Sequence, residues 1–155
     1  MKNKNIVEEP AVAYTAMVSK PLTVIMGNQF ADPSDFDLLS VARKGIQKKS
    51  LTALAKQISL TIEEIAGVLH ISGRTLQRYT PTTLVKTEYA DRAIELARLY
   101  EHGIDVLGDT KTFNTWMRSP NKALNDEIPL NLLDTSIGFE LVLKVLGRIE
   151  YGVFS

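Results

Sequence analysis

The sequence predicts an all-α protein, a helix-turn-helix domain followed by a small helical domain, on three observations. From Ser34 onward the apolar residues keep a helical period. Residues that start and stop helices punctuate that period in register with it. Residues 61–79 set two short apolar faces on either side of a tight turn, as two helices packed at a corner require. The expected organisation is an arm over residues 1–33, a first helical domain over 34–102 and a second over 103–155.

Residues 1–33 show no sustained period. Their apolar stretches, 11–18 and 22–26, are interrupted by Pro10, Pro21 and Gly27 and fit short strands or a helical arm, so this part is expected to be weakly ordered. Ser34 is placed to cap a helix carrying Phe36, Leu38, Leu39, Val41 and Ala42, which Gly45 ends. Ser50 is expected to cap the next, with Leu51, Leu54, Ala55 and Ile58 on one face. Thr61-Ile62-Glu63-Glu64 is a capping box: the threonine oxygen accepts the N–H three residues on, and Glu64 reaches back to the Thr61 N–H. Ser72 caps the following helix, and Thr80-Pro81 ends it, because the residue before proline is pushed out of the helical region. A long helix is expected from Thr87 to His102, stopped by Gly103. Tyr89, Ala93, Leu96, Ala97 and Tyr100 point inward; Glu88, Asp91, Arg92, Glu95 and Arg98 form the outer face. Phe113 and Trp116 read as core, with a stacking platform as the alternative, and Pro120-Asn121 as a turn and helix start. Thr135 caps a last helix over residues 136–150, where Asp134 adds favourable negative charge.

Composition narrows the function. Apolar residues make up 45% of the 155, enough for a real core, and charged residues 23%. No apolar run approaches the roughly 18 residues of a membrane span. Lys2 and Lys4 are followed by no long apolar region, so no secretory signal is expected. The absence of cysteine excludes disulfides and thiolate zinc sites and fits a reducing compartment, so a cytoplasmic location is expected. Net charge is zero, but eight Lys/Arg face five Asp/Glu between Gly45 and Arg98, and five face eight from Leu99 to Ser155. A basic middle and an acidic end suit different partners, phosphate for one and protein for the other.

Within residues 61–79 the buried faces are Ile62, Ile65, Ala66 and Leu69, then Ile71 in the turn, then Leu76 and Tyr79. That leaves Arg74, Thr75, Gln77 and Arg78 outward. Arginine binds guanine edges and glutamine adenine edges bidentately, and both hold phosphate. Ser72 and the first amides of the second helix suit a phosphate oxygen. The plainer reading is a helix pair with a solvated polar face. His70 stands where such turns usually carry glycine. Lys48, Lys49, Lys56 and Lys86 are read as surface lysines available for backbone contacts.

Beyond the long helix the chain carries Phe113-Asn-Thr-Trp-Met117, then Ser119-Pro-Asn-Lys-Ala-Leu124, then Ile128-Pro-Leu-Asn-Leu-Leu-Asp-Thr135, then Gly147-Arg-Ile-Glu-Tyr-Gly-Val153. With the run Ile71–Tyr79 before them, these elements resemble, over about residues 36–155, the Xre/MbcA/ParS antitoxins of the RES–Xre toxin–antitoxin class. Asn125-Asp126-Glu127 departs from the resemblance, standing where a glycine-containing turn is expected. The resemblance implies a DNA-binding domain and a C-terminal domain that occludes a RES-domain toxin. Such toxins act on NAD, degrading it or transferring its ADP-ribose; the antitoxin binds no cofactor and catalyses nothing. It also implies that the C-terminal end reaches toward the toxin's NAD pocket. That role passes to Arg148, Tyr151, Gly152, Val153, Phe154 and Ser155.

The residues themselves lean the same way. In the last helix Glu140, Lys144 and Arg148 form one narrow polar stripe, and apolar residues cover an arc of roughly 200° against the ~100° of an ordinary surface helix. Such a helix is covered by its own core, a second copy or a partner. Two aromatics in the last five residues, beside Gly152 and near Arg148, have the composition of a binding anchor, unless the tail folds back on its own core. No nucleophile–base pair, phosphate loop or metal-ligand spacing is present around His70 or His102. Two main readings remain, an antitoxin that also represses its operon or a stand-alone dimeric helix-turn-helix regulator, and the near-neutral charge leaves open a third, an antitoxin without DNA binding. Both main readings expect a homodimer on operator DNA. Deleting residues 151–155 separates them.

Overall fold

The computed structural model describes residues 20–27 and 30–152, so Val153, Phe154, Ser155 and the first nineteen residues lie outside the description. The architecture is all-α, with a two-residue antiparallel pairing as its only sheet among the described residues. The order is α1 (Pro21–Met26), α2 (Asp35–Lys44), β1 (Ile46–Gln47), α3 (Lys48–Gln57), α4 (Ile62–Leu69), α5 (Gly73–Arg78), β2 (Leu84–Val85), α6 (Thr87–Leu107), α7 (Thr110–Met117), two 3-10 turns (Lys122–Leu124 and Pro129–Leu132) and α8 (Ser136–Glu150).

Capping chemistry fixes most starts. Ser34 Oγ accepts the Asp37 N–H at 3.2 Å while Asp37 Oδ2 accepts the Ser34 N–H at 2.8 Å. Thr61 and Glu64 repeat that box. Thr135 Oγ1 accepts the Gly138 N–H at 2.9 Å and starts α8. The expected cap at Ser50 does not form: α3 begins at Lys48, because the Lys48 and Lys49 N–H groups donate to the Thr83 and Pro81 carbonyls at 3.0 and 2.9 Å. The loop before β2 thus supplies what a capping side chain would. It is held there by β1 and β2, with Ile46 opposite Val85. Gly45 makes the pairing possible: its φ is +97°, and a Cβ there would stand 2.7 Å from the Val85 carbonyl.

Helix α6 is the axis. It packs against α1, α2, α4, α7 and α8, and Ala90, Ala93, Leu96, Ala97 and Tyr100 are buried along it. It does not stop at Gly103 but continues to Leu107, where Gly108 at φ +109° closes it. Gly103 is instead buried against Phe113, whose ring lies edge-on to Tyr100 at 4.8 Å and stacks on half-buried Trp116 at 5.9 Å. Both aromatics of α7 therefore serve the core. Inside the span expected to be a weak arm, α1 packs on α3 and α6, buries Ile25 and Met26, and donates the Leu22 N–H to Glu101 Oε2 at 2.7 Å. Proline at its first turn, fixed at a helical φ, lets so short a helix form.

Candidate functional site

The corner of α4 and α5 has the geometry its sequence demands. Ile65, Ala66, Leu69, Ile71 and Leu76 are buried and Ile62 and Tyr79 half-buried. His70 adopts the left-handed conformation, φ +62°, that the turn requires. Histidine is among the residues that tolerate this region, and its Nε2–H donates to the Asp134 carbonyl.

Arg74, Thr75, Gln77 and Arg78 are all exposed on α5, as the periodicity expected. Ser72 is placed differently from a simple phosphate donor. Its Oγ accepts the Thr75 N–H at 3.0 Å and its hydroxyl proton goes to Thr75 Oγ1 at 2.7 Å. With the Ser72 hydroxyl engaged, the Thr75 hydroxyl and the first amides of α5 are the donors this helix start offers. Lys48 is not a loose surface lysine. Its Nζ donates to the Tyr79 carbonyl at 2.9 Å and the Gln77 carbonyl at 3.5 Å. A cation there closes the C-terminal end of the six-residue helix and complements its dipole.

Helix α8 buries Phe139, Val142, Val145 and Leu146 and leaves Ile137 71%, Leu141 41% and Leu143 42% exposed. Its wide apolar arc is thus only partly covered by its own chain. Glu140, Lys144 and Arg148 are exposed, and Ile137, Leu141, Lys144 and Arg148 fall on one side of the helix. That side leads to Tyr151, 79% exposed, and to Gly152 at φ +70°. Both aromatic and cation are exposed at the helix end. Of the expected tail anchor, Arg148, Tyr151 and Gly152 are described.

Two residues were read from periodicity as plain outer-face positions of α6 and are not. Arg92 is half-buried and donates from Nε to the Val68 carbonyl at 2.6 Å and from a terminal nitrogen to the Leu133 carbonyl at 3.1 Å, with the Phe139 ring 5.8 Å from its guanidinium carbon. One side chain thus ties the end of α4 to the approach of α8. Arg118 makes a second tie, to Glu64 at 2.9 Å and the Ser59 carbonyl at 3.1 Å. Glu95 is also half-buried. Carbonyls offered by other segments are invisible to a helical period, so no sequence signal marks these roles. Among the described residues no group of three or more His, Asp or Glu could hold a metal ion, and no helix is long and apolar enough to cross a membrane.

The fold defines a helix-turn-helix protein carrying a second, small helical domain. Residues 37–98 match the antitoxin Xre-like helix-turn-helix domain, and residues 102–152 match the antitoxin Xre/MbcA/ParS C-terminal toxin-binding domain. The chain belongs to the Xre/MbcA/ParS antitoxin family. It is similar to antitoxin Xre of Yersinia enterocolitica, 29% identical over 120 residues that cover 76% of this chain and 81% of the relative. It is 26% identical over 132 residues to the Prs ADP-ribosylating antitoxin of a Sphingobium species, covering 79% and 83%. To the mycobacterial cidal antitoxin MbcA of Mycobacterium tuberculosis it is 28% identical over 106 residues, covering 68% and 92%.

Proposed function

We propose that this antitoxin binds a RES-domain toxin acting on NAD, and that Arg148 and the tail Tyr151, Gly152, Val153, Phe154 and Ser155 occlude the toxin's active site. The observation that carries this reading is the free end of α8. An exposed arginine and a 79% exposed tyrosine follow a half-covered apolar face inside the matched toxin-binding domain. Aromatic and arginine side chains are the residue types that anchor protein interfaces. The relative whose name carries ADP-ribosylation supports a toxin working on that chemistry.

The protein further represses its own operon as a homodimer, with Arg74, Thr75, Gln77 and Arg78 of α5 reading DNA and Ser72 setting the helix start. It does so as a cytoplasmic, non-catalytic binding protein. The test is co-expression with the product of the adjacent reading frame. Co-purification and rescue of growth are expected, with rescue lost on deleting residues 151–155 and operator binding retained. A chain that forms no complex and meets no toxicity returns the function to a stand-alone DNA-binding regulator. Arg74→Ala and Arg78→Ala should remove operator binding while leaving neutralisation intact.

A further inference from the structure

A groove of about 400 Å³ runs between α6 and α8, lined among others by Glu95, Leu99 and His102 on one side and Phe139, Glu140 and Leu143 on the other. It would hold about a dozen waters at bulk density, or long side chains in their place. Among the described residues Glu95 Oε2 is shielded from solvent and accepts no hydrogen bond. Of the cations nearest on α6, Arg92 is committed to the Val68 and Leu133 carbonyls, while Arg98 lines the groove and makes only an exposed ion pair with Asp35 at 3.7 Å. Burial holds the Glu95 carboxyl above the ordinary carboxylate range, with Asp91 adding to the effect and Arg92 and Arg98 partly offsetting it. A shielded carboxylate oxygen without a donor is unfavourable in the free protein, and turning toward a cation in the groove relieves that cost.

The surroundings say which cation. Leu99, Phe139 and Leu143 offer apolar walls to a methylene stem. Glu95 and Glu140 line the groove with Arg98 and His102, and Glu150 lies beyond it facing His102 at 3.5 Å, so two lining carboxylates stand against one permanent cation. Along α8, Ser136, Phe139, Leu143 and Glu150 share this side, roughly opposite the side that carries Arg148 toward the tail. The groove is thus separate from the proposed anchor, and its α8 side lies within the matched toxin-binding domain.

We propose that the groove between α6 and α8 receives an arginine or lysine side chain of the toxin, with Glu95 as its carboxylate partner. This contact is additional to the tail and rests on the toxin-binding reading above.

The test uses the full chain and a catalytically inactive form of the adjacent reading frame's product, with affinity measured by calorimetry. Glu95→Gln should weaken binding about tenfold and Glu95→Lys at least a hundredfold, as expected for a desolvated charge pair losing or reversing one member. The free Glu95→Gln chain should melt no lower than the parent, which separates binding from folding. If the parent chain itself does not bind, the toxin-binding reading fails and this contact with it. If the parent binds and both Glu95 variants bind equally well, the groove proposal alone is overturned. Sedimentation of the chain without toxin covers the other occupant: a dimer that Glu95→Lys converts to monomer would place a second copy in the groove and refute the toxin cation.

Discussion

Replacing Gly103 with alanine tests the packing at the centre of the molecule. Glycine inside α6 is less favourable than alanine by about 1 kcal/mol in an ordinary helix, so propensity alone expects a gain. The structure expects the reverse. A Cβ at Gly103 would stand at 2.6 Å or less from three ring atoms of Phe113, Cδ2, Cε2 and Cζ. The ring cannot retreat freely, since it is fully buried between the edge-on Tyr100 ring and stacked Trp116. Overpacking of this kind costs about 3 kcal/mol, leaving a net loss of about 2 kcal/mol, or about 4–8 °C in Tm for a chain of this length. Thermal melts of Gly103→Ala and Gly67→Ala make the comparison internal. Gly67 is an exposed helical glycine whose Cβ would meet nothing within 4 Å, so its substitution should raise Tm by about 2–4 °C. Phe113→Leu in the Gly103→Ala background should recover part of the loss. A Gly103→Ala protein melting at or above the parent would refute the close approach.

Four other outcomes follow from the same contacts. Tyr100→Phe removes the hydroxyl that donates to Asn114 Oδ1 at 2.6 Å, leaving a buried amide oxygen unpaired; urea titration should show a loss of about 1–3 kcal/mol. Arg92→Ala strands the Val68 and Leu133 carbonyls and should lose about 2–3 kcal/mol, and Arg92→Lys should recover less than half, because an ammonium lacks the fork that reaches both. Lys48→Met keeps the apolar stem but frees the Tyr79 carbonyl, so amide exchange in α5 should quicken, at a loss of about 1 kcal/mol. For Glu95 the folded carboxyl lies above its unfolded value, so the stability it contributes is present in acid and lost as pH rises through the folded value. Glu95→Gln should therefore melt higher than the parent near neutrality and match it below about pH 4, with Asp91, Arg92, Arg98 and His102 as the neighbouring charges.

Residues whose roles are local were legible in the sequence. Ser34, Thr61, Ser72 and Thr135 cap helices because each chemistry needs only the next three residues. The bounds of α8 and the exposed residues of α5 followed from period and caps alone. Roles set by distant segments were not legible. Gly103 looked like a stop because glycine commonly ends helices, yet here it admits a ring from α7. Ser50 looked like a cap because nothing nearby announces that the Pro81 and Thr83 carbonyls would satisfy the start of α3. Arg92 and Glu95 sat on a periodic polar face, and only the folding of α4 and α8 against α6 removes them from water. His70 and the pair Asn125 and Asp126 broke an expected glycine pattern; each nonetheless adopts a positive φ, between +57° and +64°. The backbone requirement is conserved in the geometry while the residue type is not.

The same distant contacts make the two halves one mechanical body. The helix-turn-helix match ends at residue 98 and the toxin-binding match begins at 102, both inside α6, so neither half owns the axis on which it packs. Arg92 joins the last turn of α4 to Leu133, three residues before α8, His70 joins the turn to the same stretch through Asp134, and Arg118 joins α7 to the capping box of α4. The helix that leads into α5 and the helix that leads into the tail are therefore anchored at adjacent points.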